Sequence, residues 1–221
     1  MLLRSLTDWF LMAMRVLIAD DHELVRGGLR VFVNKTFDDA TIFEADTLAK
    51  AIDFVRKEPV NLALLGFWFP DGSALGVLAE FKSQSTYCPV LMVSLHLDAE
   101  FALMSIRAGA AGYIATDASY SEFSAAMKLV VNGGQYIQPS VLNAKDASSN
   151  ATDQPPHRSL RRREFEILGM TCKGLTVKEI ASALNICPKT VNNVRRRLRT
   201  KLGLETTGAL IKYGVERGIS A

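Results

Sequence analysis

Acidic and hydroxyl side chains follow the ends of short apolar segments in the first half of the chain. The residues at these strand-end positions are Asp20, Asp21, Gly66, Ser94 and Thr116. Carboxylates bind Mg²⁺ together with phosphate oxygens, so an acidic pair of this kind suits cation and phosphate chemistry. The third of these segments ends at Gly66, which has no side chain to contribute.

The elements that position these residues alternate between apolar runs and amphipathic segments as far as residue 133. Apolar runs at 16–19, 40–45, 60–66, 89–94 and 112–114 predict strands, and the segments after them predict helices at 23–34, 48–57, 74–83, 99–108 and 121–132. This pattern is typical of a parallel sheet covered on both faces. The predicted fold is α/β, a flavodoxin-like doubly wound parallel five-stranded sheet whose site lies at the carboxyl ends of the strands.

The segments VLIADDHELVRGGL and AGAAGYI resemble the receiver domain of bacterial response regulators, in particular the NarL/FixJ branch. The resemblance implies an acidic pair that helps to hold Mg²⁺, an aspartate at the end of the third strand that accepts a phosphoryl group, a hydroxyl residue that reports the event, and a lysine after the fifth strand. Asp20 and Asp21 match the acidic pair, and Ser94 matches the hydroxyl. Gly66 and Thr116 stand in place of the aspartate and the lysine.

We therefore expect a degenerate phosphorylation pocket that takes no phosphoryl group, binds Mg²⁺ weakly at best and uses no cofactor. The double loss is consistent electrostatically, because a lysine beside an absent aspartate would have lost its main counterion. One alternative is a shifted register in which Asp71, in the loop PDGS, is the acceptor. Asp46 is unsuitable as an acceptor because it begins a helix. Another is that the acidic pair only caps the following helix.

An aromatic run, Phe67-Trp68-Phe69, lies beside this pocket. Packing is the favoured interpretation, since aromatic side chains contribute large areas to cores. A contact with another protein and a small-molecule site are the alternatives.

Charge divides the chain into two parts. Residues 155–221 contain 14 Lys+Arg and 5 Asp+Glu, a net charge of +9, and the totals of 26 and 23 leave −6 for the rest. This asymmetry predicts two domains with different partners, one of them a polyanion. The three cysteines are too few and too scattered for a disulfide framework or a zinc site, and no apolar run is long enough for a membrane span, so we expect a cytoplasmic protein without a membrane partner.

The predicted organisation has four parts. They are an amino-terminal extension at 1–13, a receiver-like domain at 14–134, a linker at 135–158 and an all-α four-helix domain at 159–221. The polar stretch NAKDASSNATDQPPHRS indicates a flexible tether. In the last part, Thr176 and Glu179 form a capping box before the second helix, and Pro188 suits the first turn of the third helix.

The string LRRREFEILGMTCKGLTVKEIASALNICPKTVNNVRRRLRTKLGL resembles the LuxR-type helix-turn-helix domain. The resemblance implies that the third helix enters the DNA major groove, where Asn and Arg pair with adenine and guanine edges. By alignment, the expected base contacts are Asn192, Asn193 and Arg196. The expected phosphate contacts are Lys178, Lys189, Thr190, Arg195 and Arg199.

Two positions depart from the LuxR-type pattern. Val194 occupies a position that is often histidine, and Cys187 replaces the usual serine cap. An inert small residue is the favoured interpretation of Cys187, and redox sensing is the alternative, since a helix N-terminus lowers a thiol pKa.

The sequence thus predicts a sequence-specific, DNA-binding transcription regulator of two-component type that works without aspartyl phosphorylation and is not an enzyme. Its partners are double-stranded DNA and a second copy, because two linked recognition helices gain affinity for paired half-sites. The receiver-like domain would dimerise or respond to a protein or small-molecule ligand. The alternative is an interaction protein that pairs with another transcription regulator as antagonist or co-regulator.

Overall fold

The computed structural model describes residues 14–83, 88–94, 99–140, 160–216 and 219. The predicted extension at 1–13 lies outside the described residues, as does most of the predicted linker. The domain boundaries proposed from the sequence therefore stay predictions.

The amino-terminal part alternates strands and helices as the apolar pattern predicts. Its elements are β1 (Arg15–Ala19), α1 (Glu23–Thr36), β2 (Thr41–Ala45), α2 (Leu48–Lys57), β3 (Leu62–Gly66), β4 (Trp68–Phe69), β5 (Gly72–Ser73), α3 (Leu78–Ser83), β6 (Val90–Ser94), α4 (Ala99–Ala108), β7 (Gly112–Ala115), α5 (Tyr120–Val131) and β8 (Tyr136–Ile137). A 3₁₀ turn at Ala74–Gly76 precedes α3, so the helix predicted at 74–83 begins later than expected.

A parallel sheet organises this part, with strand order β2-β1-β3-β6-β7-β8. Strand order reverses between β1 and β3, which places a crevice at their carboxyl ends. The predicted doubly wound fold is confirmed, but the sheet has six strands where the sequence predicts five. The extra strand, β8, has two residues and is too short to show a periodic pattern. A separate antiparallel hairpin joins β4 to β5.

Side chains of the central strands enter two apolar layers, one on each face of the sheet. Along β1, Leu17 and Ala19 belong to one buried cluster, and Val16 and Ile18 belong to the other. All four are fully buried, which explains why these strands are continuously apolar instead of alternating with polar residues.

Among the described residues 160–216 and 219, the carboxyl-terminal part contains four helices. They are α6 (Arg162–Cys172), α7 (Val177–Ala183), α8 (Pro188–Leu202) and α9 (Thr207–Glu216). The predicted capping box is present, since the Thr176 side chain accepts from the Glu179 amide and the Glu179 carboxylate accepts from the Thr176 amide. Pro188 begins α8, and Gly203 ends it in the left-handed conformation at φ 67°. Within the described residues, no helix combines the length and apolar content that crossing a bilayer requires.

An ion pair between a buried carboxylate and a partly exposed lysine ties α6 to α8. Lys201 Nζ lies 2.6 Å from Glu164 Oε2, and the Arg161 amide donates to the same oxygen at 2.9 Å. Burial alone would raise the pKa of the Glu164 carboxyl, but these donors outweigh it and lower the pKa below its usual value. A lowered carboxyl pKa adds stability above the ordinary glutamate pKa, and this contribution is lost as pH falls through the folded-state value.

Replacing Glu164 with glutamine is therefore expected to reduce the free energy of unfolding by about 2 kcal/mol at neutral pH, because a charged buried acceptor is lost. Chemical denaturation at several pH values measures this difference, which should disappear in acid below the folded-state pKa of Glu164. Glu205→Gln, at an exposed position of the same domain, is the matched control. A difference that is independent of pH would refute the role of the ion pair.

Candidate phosphorylation pocket and nucleic-acid interface

The carboxyl ends of the central strands bring the predicted pocket residues to one edge of the sheet. Gly66 ends β3 beside Asp20, and a Cβ atom placed on Gly66 would lie 2.4 Å from Asp20 Oδ2. On the next two strands, Ser94 ends β6, and its carbonyl accepts from the Thr116 amide at 2.8 Å. The Asp20 carboxylate therefore occupies the space that a side chain on Gly66 would enter.

The acidic pair is held by the adjacent residue His22 and by a lysine of the helical domain. Asp20 Oδ1 accepts from the His22 amide at 2.8 Å. Burial raises the pKa of the Asp20 carboxyl, although its hydrogen bonds with His22 act in the opposite direction. Asp21 Oδ1 lies 3.0 Å from His22 Nδ1, and Asp21 Oδ2 lies 3.2 Å from the Nζ atom of Lys173. The Lys173 ammonium group, which comes from outside the predicted pocket, thus takes part in its electrostatics.

These residues fit Mg²⁺ poorly. Among the described residues, ligand atoms of Asp20, Asp21 and His22 lie within 4.8 Å of one another, which a cation could bridge. Mg²⁺ prefers oxygen ligands and phosphate oxygens in octahedral geometry, whereas this set includes an imidazole. In addition, β3 contributes no carboxylate, and the Lys173 ammonium already neutralises Asp21. The expected weakness of Mg²⁺ binding stays a prediction.

Asp71 is engaged elsewhere. Its Oδ1 accepts from the Leu48 amide at 3.1 Å, and its Oδ2 accepts from the Ala49 amide at 2.9 Å. Both oxygens therefore satisfy the first turn of α2, where a negative charge also meets the positive end of the helix dipole. Asp46 pairs with Lys50 on the surface. This geometry argues against the shifted register with Asp71 as acceptor.

Asp20 does not act as the cap of α1. The N-cap residue of that helix is His22, whose side chain makes no capping hydrogen bond. The Asp20 carboxylate instead accepts from the amide of His22 itself and orders the turn before the helix.

The aromatic run Phe67-Trp68-Phe69 is almost fully buried, which supports the packing interpretation. Part of this packing is against the helical domain, since the Trp68 ring lies 5.5 Å from the ring of Phe165 on α6. The aromatic run therefore joins the two parts of the chain as well as filling space beside Gly66.

A polar face of α8 is available for nucleic acid. The buried side of the helix is defined by Val191, Val194, Leu198 and Leu202, at spacings of three and four residues. The side chains left exposed include four of the predicted DNA contacts on this helix, namely Lys189, Asn192, Asn193 and Arg196. Lys178 is exposed on α7.

The other three predicted phosphate contacts have partners within the domain. Arg195 Nε donates to Thr171 Oγ1 at 3.0 Å, and its Nη2 donates to the Leu175 carbonyl at 2.9 Å. Arg199 Nη1 donates to the Glu205 carbonyl at 2.8 Å. Thr190 Oγ1 lies 3.2 Å from Cys187 Sγ. The hydrogen bonds of Arg195 and Arg199 therefore stabilise the helical domain. The phosphate contacts of these two residues remain predictions.

The two departures from the LuxR-type pattern have clear positions. Val194 is buried in the helical core, so that position does not face solvent. Cys187 is exposed at the start of α8 and makes no capping hydrogen bond, as expected of a poor cap. The neighbouring Thr190 hydroxyl, followed by the amide groups at the start of α8, lowers the pKa of the Cys187 thiol.

The sequence motifs identify none of three residues that make interdomain contacts: Phe165, Gly169 and Lys173. They lie four residues apart along α6 and its C-cap position. One signal was available, because a glycine within a helix destabilises it relative to alanine and so indicates a close approach.

Two family models match the chain. The response regulator receiver domain matches residues 16–128, and the luxR family of bacterial regulatory proteins matches residues 158–213. The chain belongs to the response regulators of the NarL/FixJ type. It is accordingly a DNA-binding transcription regulator of response-regulator type.

Known response regulators resemble this one over almost its whole length. The transcriptional regulatory protein MctR of Rhizobium johnstonii is 34% identical over 93% of this chain and 94% of its own. The response regulator UvrY of Escherichia coli is 29% identical over 92% and 94%, respectively. A structure of RcsB from Salmonella typhimurium superposes with a TM-score of 0.74 at 20% identity, covering 93% of this chain and 98% of RcsB. The RcsB likeness shows that the fold is shared.

Proposed function

We propose that this response regulator binds specific DNA sequences without aspartyl phosphorylation and does so as a homodimer. The observation that carries the proposal is the end of β3, where Gly66 supplies no acceptor and the Asp20 carboxylate fills the adjacent space. Thr116 replaces the lysine that would pair with a phosphorylated group. With both groups missing, the receiver chemistry of the family has neither its nucleophile nor its cation.

The helical domain presents side chains that suit DNA binding. Lys189, Asn192, Asn193 and Arg196 are exposed together on α8, in a region with a net charge of +9. Asn and Arg side chains offer paired donors and acceptors that match adenine and guanine edges in the major groove. The basic surroundings add sequence-independent attraction to phosphates.

Dimerisation follows from how such domains read DNA. A single short helix contacts few base pairs, and two linked copies on paired half-sites gain affinity by avidity. RcsB, a protein with the same fold, is known from a structure in which two RcsB dimers are bound to two parallel DNAs.

Selection from random duplex DNA with untreated, full-length protein tests the proposal. We expect one sequence to be enriched, binding that weakens steeply with salt, and two protomers per duplex by mass photometry. Enrichment of no sequence, or a single protomer on the selected duplex, would contradict it.

The alternative function, antagonism of another regulator, predicts a different result. An antagonist would remove shifted bands when it is added to the partner's DNA complex, and it would show weak DNA binding alone. The exposure of Asn192, Asn193 and Arg196 favours direct DNA binding. A protein or small-molecule input at the receiver-like domain is compatible with the proposed function.

A further inference from the structure

One stripe of α6 faces the receiver-like domain. Phe165 and Gly169 lie on α6, and Lys173 is the C-cap residue of this helix. The three residues are spaced four positions apart. Residues spaced by four share one face of a helix, so the three side-chain positions form a continuous line. Each of them meets a residue of the receiver-like domain.

Phe165 occupies the centre of an aromatic cluster. Its ring centroid lies 4.6 Å from that of Phe101, 5.5 Å from that of Trp68 and 6.2 Å from that of Phe67. Phe165 is fully buried, and one apolar cluster includes residues from both parts of the chain. The first contact along the stripe is therefore a shared hydrophobic core.

Gly169 provides the second contact. A Cβ atom at this position would lie 2.3 Å from the Cη2 atom of Trp68, so the indole rests against the helix backbone. Glycine within a helix is unfavourable compared with alanine, and the close approach of Trp68 explains its presence here.

Lys173 provides the third contact, at the acidic pair. Its Nζ lies 3.2 Å from Asp21 Oδ2, with the two side chains 14% and 19% exposed. Thr116 stands where the family resemblance places a lysine, and Lys173 brings an ammonium group to the same acidic pair from the other domain. The net charges of −6 and +9 on the two parts attract as well.

We propose that the DNA-binding domain is itself the ligand of the degenerate receiver pocket. Lys173 supplies the cation that the pocket lacks, and the seating of Trp68 on Gly169 fixes the position of α6. The docked arrangement leaves the DNA-reading side of α8 exposed, including Asn192, Asn193 and Arg196. Docking and DNA binding are thus compatible, and no phosphoryl group is needed to uncover α8.

Trp68 fluorescence reports this docking directly. The chain has two tryptophans, so Trp68 is the only one in a full-length Trp9→Phe background. In that background we expect Gly169→Ala to shift Trp68 emission to longer wavelength and to increase quenching by iodide, because a new methyl group displaces the indole. Gly208→Ala is the matched control, since the nearest atom to its Cβ would be 3.8 Å away, and it should change neither signal.

A charge exchange tests the role of Lys173. Lys173→Glu should produce the same red shift and gain of quenching, and adding Asp21→Lys should restore the wild-type signals. Circular dichroism should show unchanged helix content in all variants. Wild-type emission and quenching in Gly169→Ala would overturn the docking, and failure of Asp21→Lys to restore Lys173→Glu would overturn the ion pair. DNA binding is measured separately, so failure of the proposed function does not alter this result.

Discussion

Replacing Arg196 with alanine is expected to weaken specific DNA binding by about 10- to 100-fold, because a bidentate contact with a base edge contributes roughly 1–3 kcal/mol. Arg196 is exposed on α8, whereas the interdomain contacts described above lie on α6, so the fold should be unaffected. Fluorescence anisotropy on the selected duplex, and on one with the contacted base pair changed, measures the effect. The loss should be greater on the selected duplex, since a base contact affects specificity.

Lys57→Ala is the matched control for the loss of one positive charge. Lys57 is exposed on α2 of the receiver-like domain, and its replacement should leave DNA affinity nearly unchanged. An equal loss of affinity for specific and random DNA in Arg196→Ala would reassign Arg196 to a phosphate contact. An unchanged DNA affinity of Arg196→Ala would contradict the assignment of α8 as the recognition helix.

Replacing Phe165 with alanine should lower the free energy of unfolding by about 3–5 kcal/mol, the usual cost of truncating a fully buried aromatic side chain. Phe165 contacts rings of the receiver-like domain, and the same apolar cluster extends into the helical core. We therefore expect the wild type to unfold in a single transition and the Phe165→Ala variant to unfold in two, one for each domain. Urea denaturation followed by near- and far-ultraviolet circular dichroism measures both effects.

Phe123→Ala is the comparison for this prediction. Phe123 is equally buried, but it lies in the cluster on the other face of the sheet and contacts Phe32. Its replacement should cost a similar amount while the two domains still unfold together. A loss below about 1 kcal/mol for Phe165→Ala, or separate transitions in both variants, would contradict the shared core.

Local patterns in the sequence predict much of the fold. Continuous apolar runs predict the buried parallel strands, because both faces of the sheet are covered by helices. The capping box at Thr176 and Glu179, the start of α8 at Pro188 and the buried stripe through Val191 and Leu198 also depend on neighbouring residues. The position of Gly66 follows from the same pattern, since it ends a recognisable strand.

Contacts between distant residues are not predictable in this way. Asp71 caps α2 across 23 positions, and Lys173 reaches Asp21 across 152 positions. Local spacing contains no information on such pairs, which depend on how the elements pack. For the same reason the sequence predicts the helix that contains Arg195 but not the hydrogen bond of Arg195 with Thr171. The sequence predicts that the aromatic run packs, but it does not identify Phe165 as its partner.

The most direct test of phosphorylation-independent DNA binding is a paired measurement on one sample of full-length protein. Intact mass and affinity for the selected duplex are recorded before and after incubation with acetyl phosphate and Mg²⁺. Phosphorylation-independent DNA binding predicts an unchanged mass and an unchanged, already tight affinity, because Gly66 offers no nucleophile. An acid-labile gain of one phosphoryl group accompanied by much tighter DNA binding would contradict it.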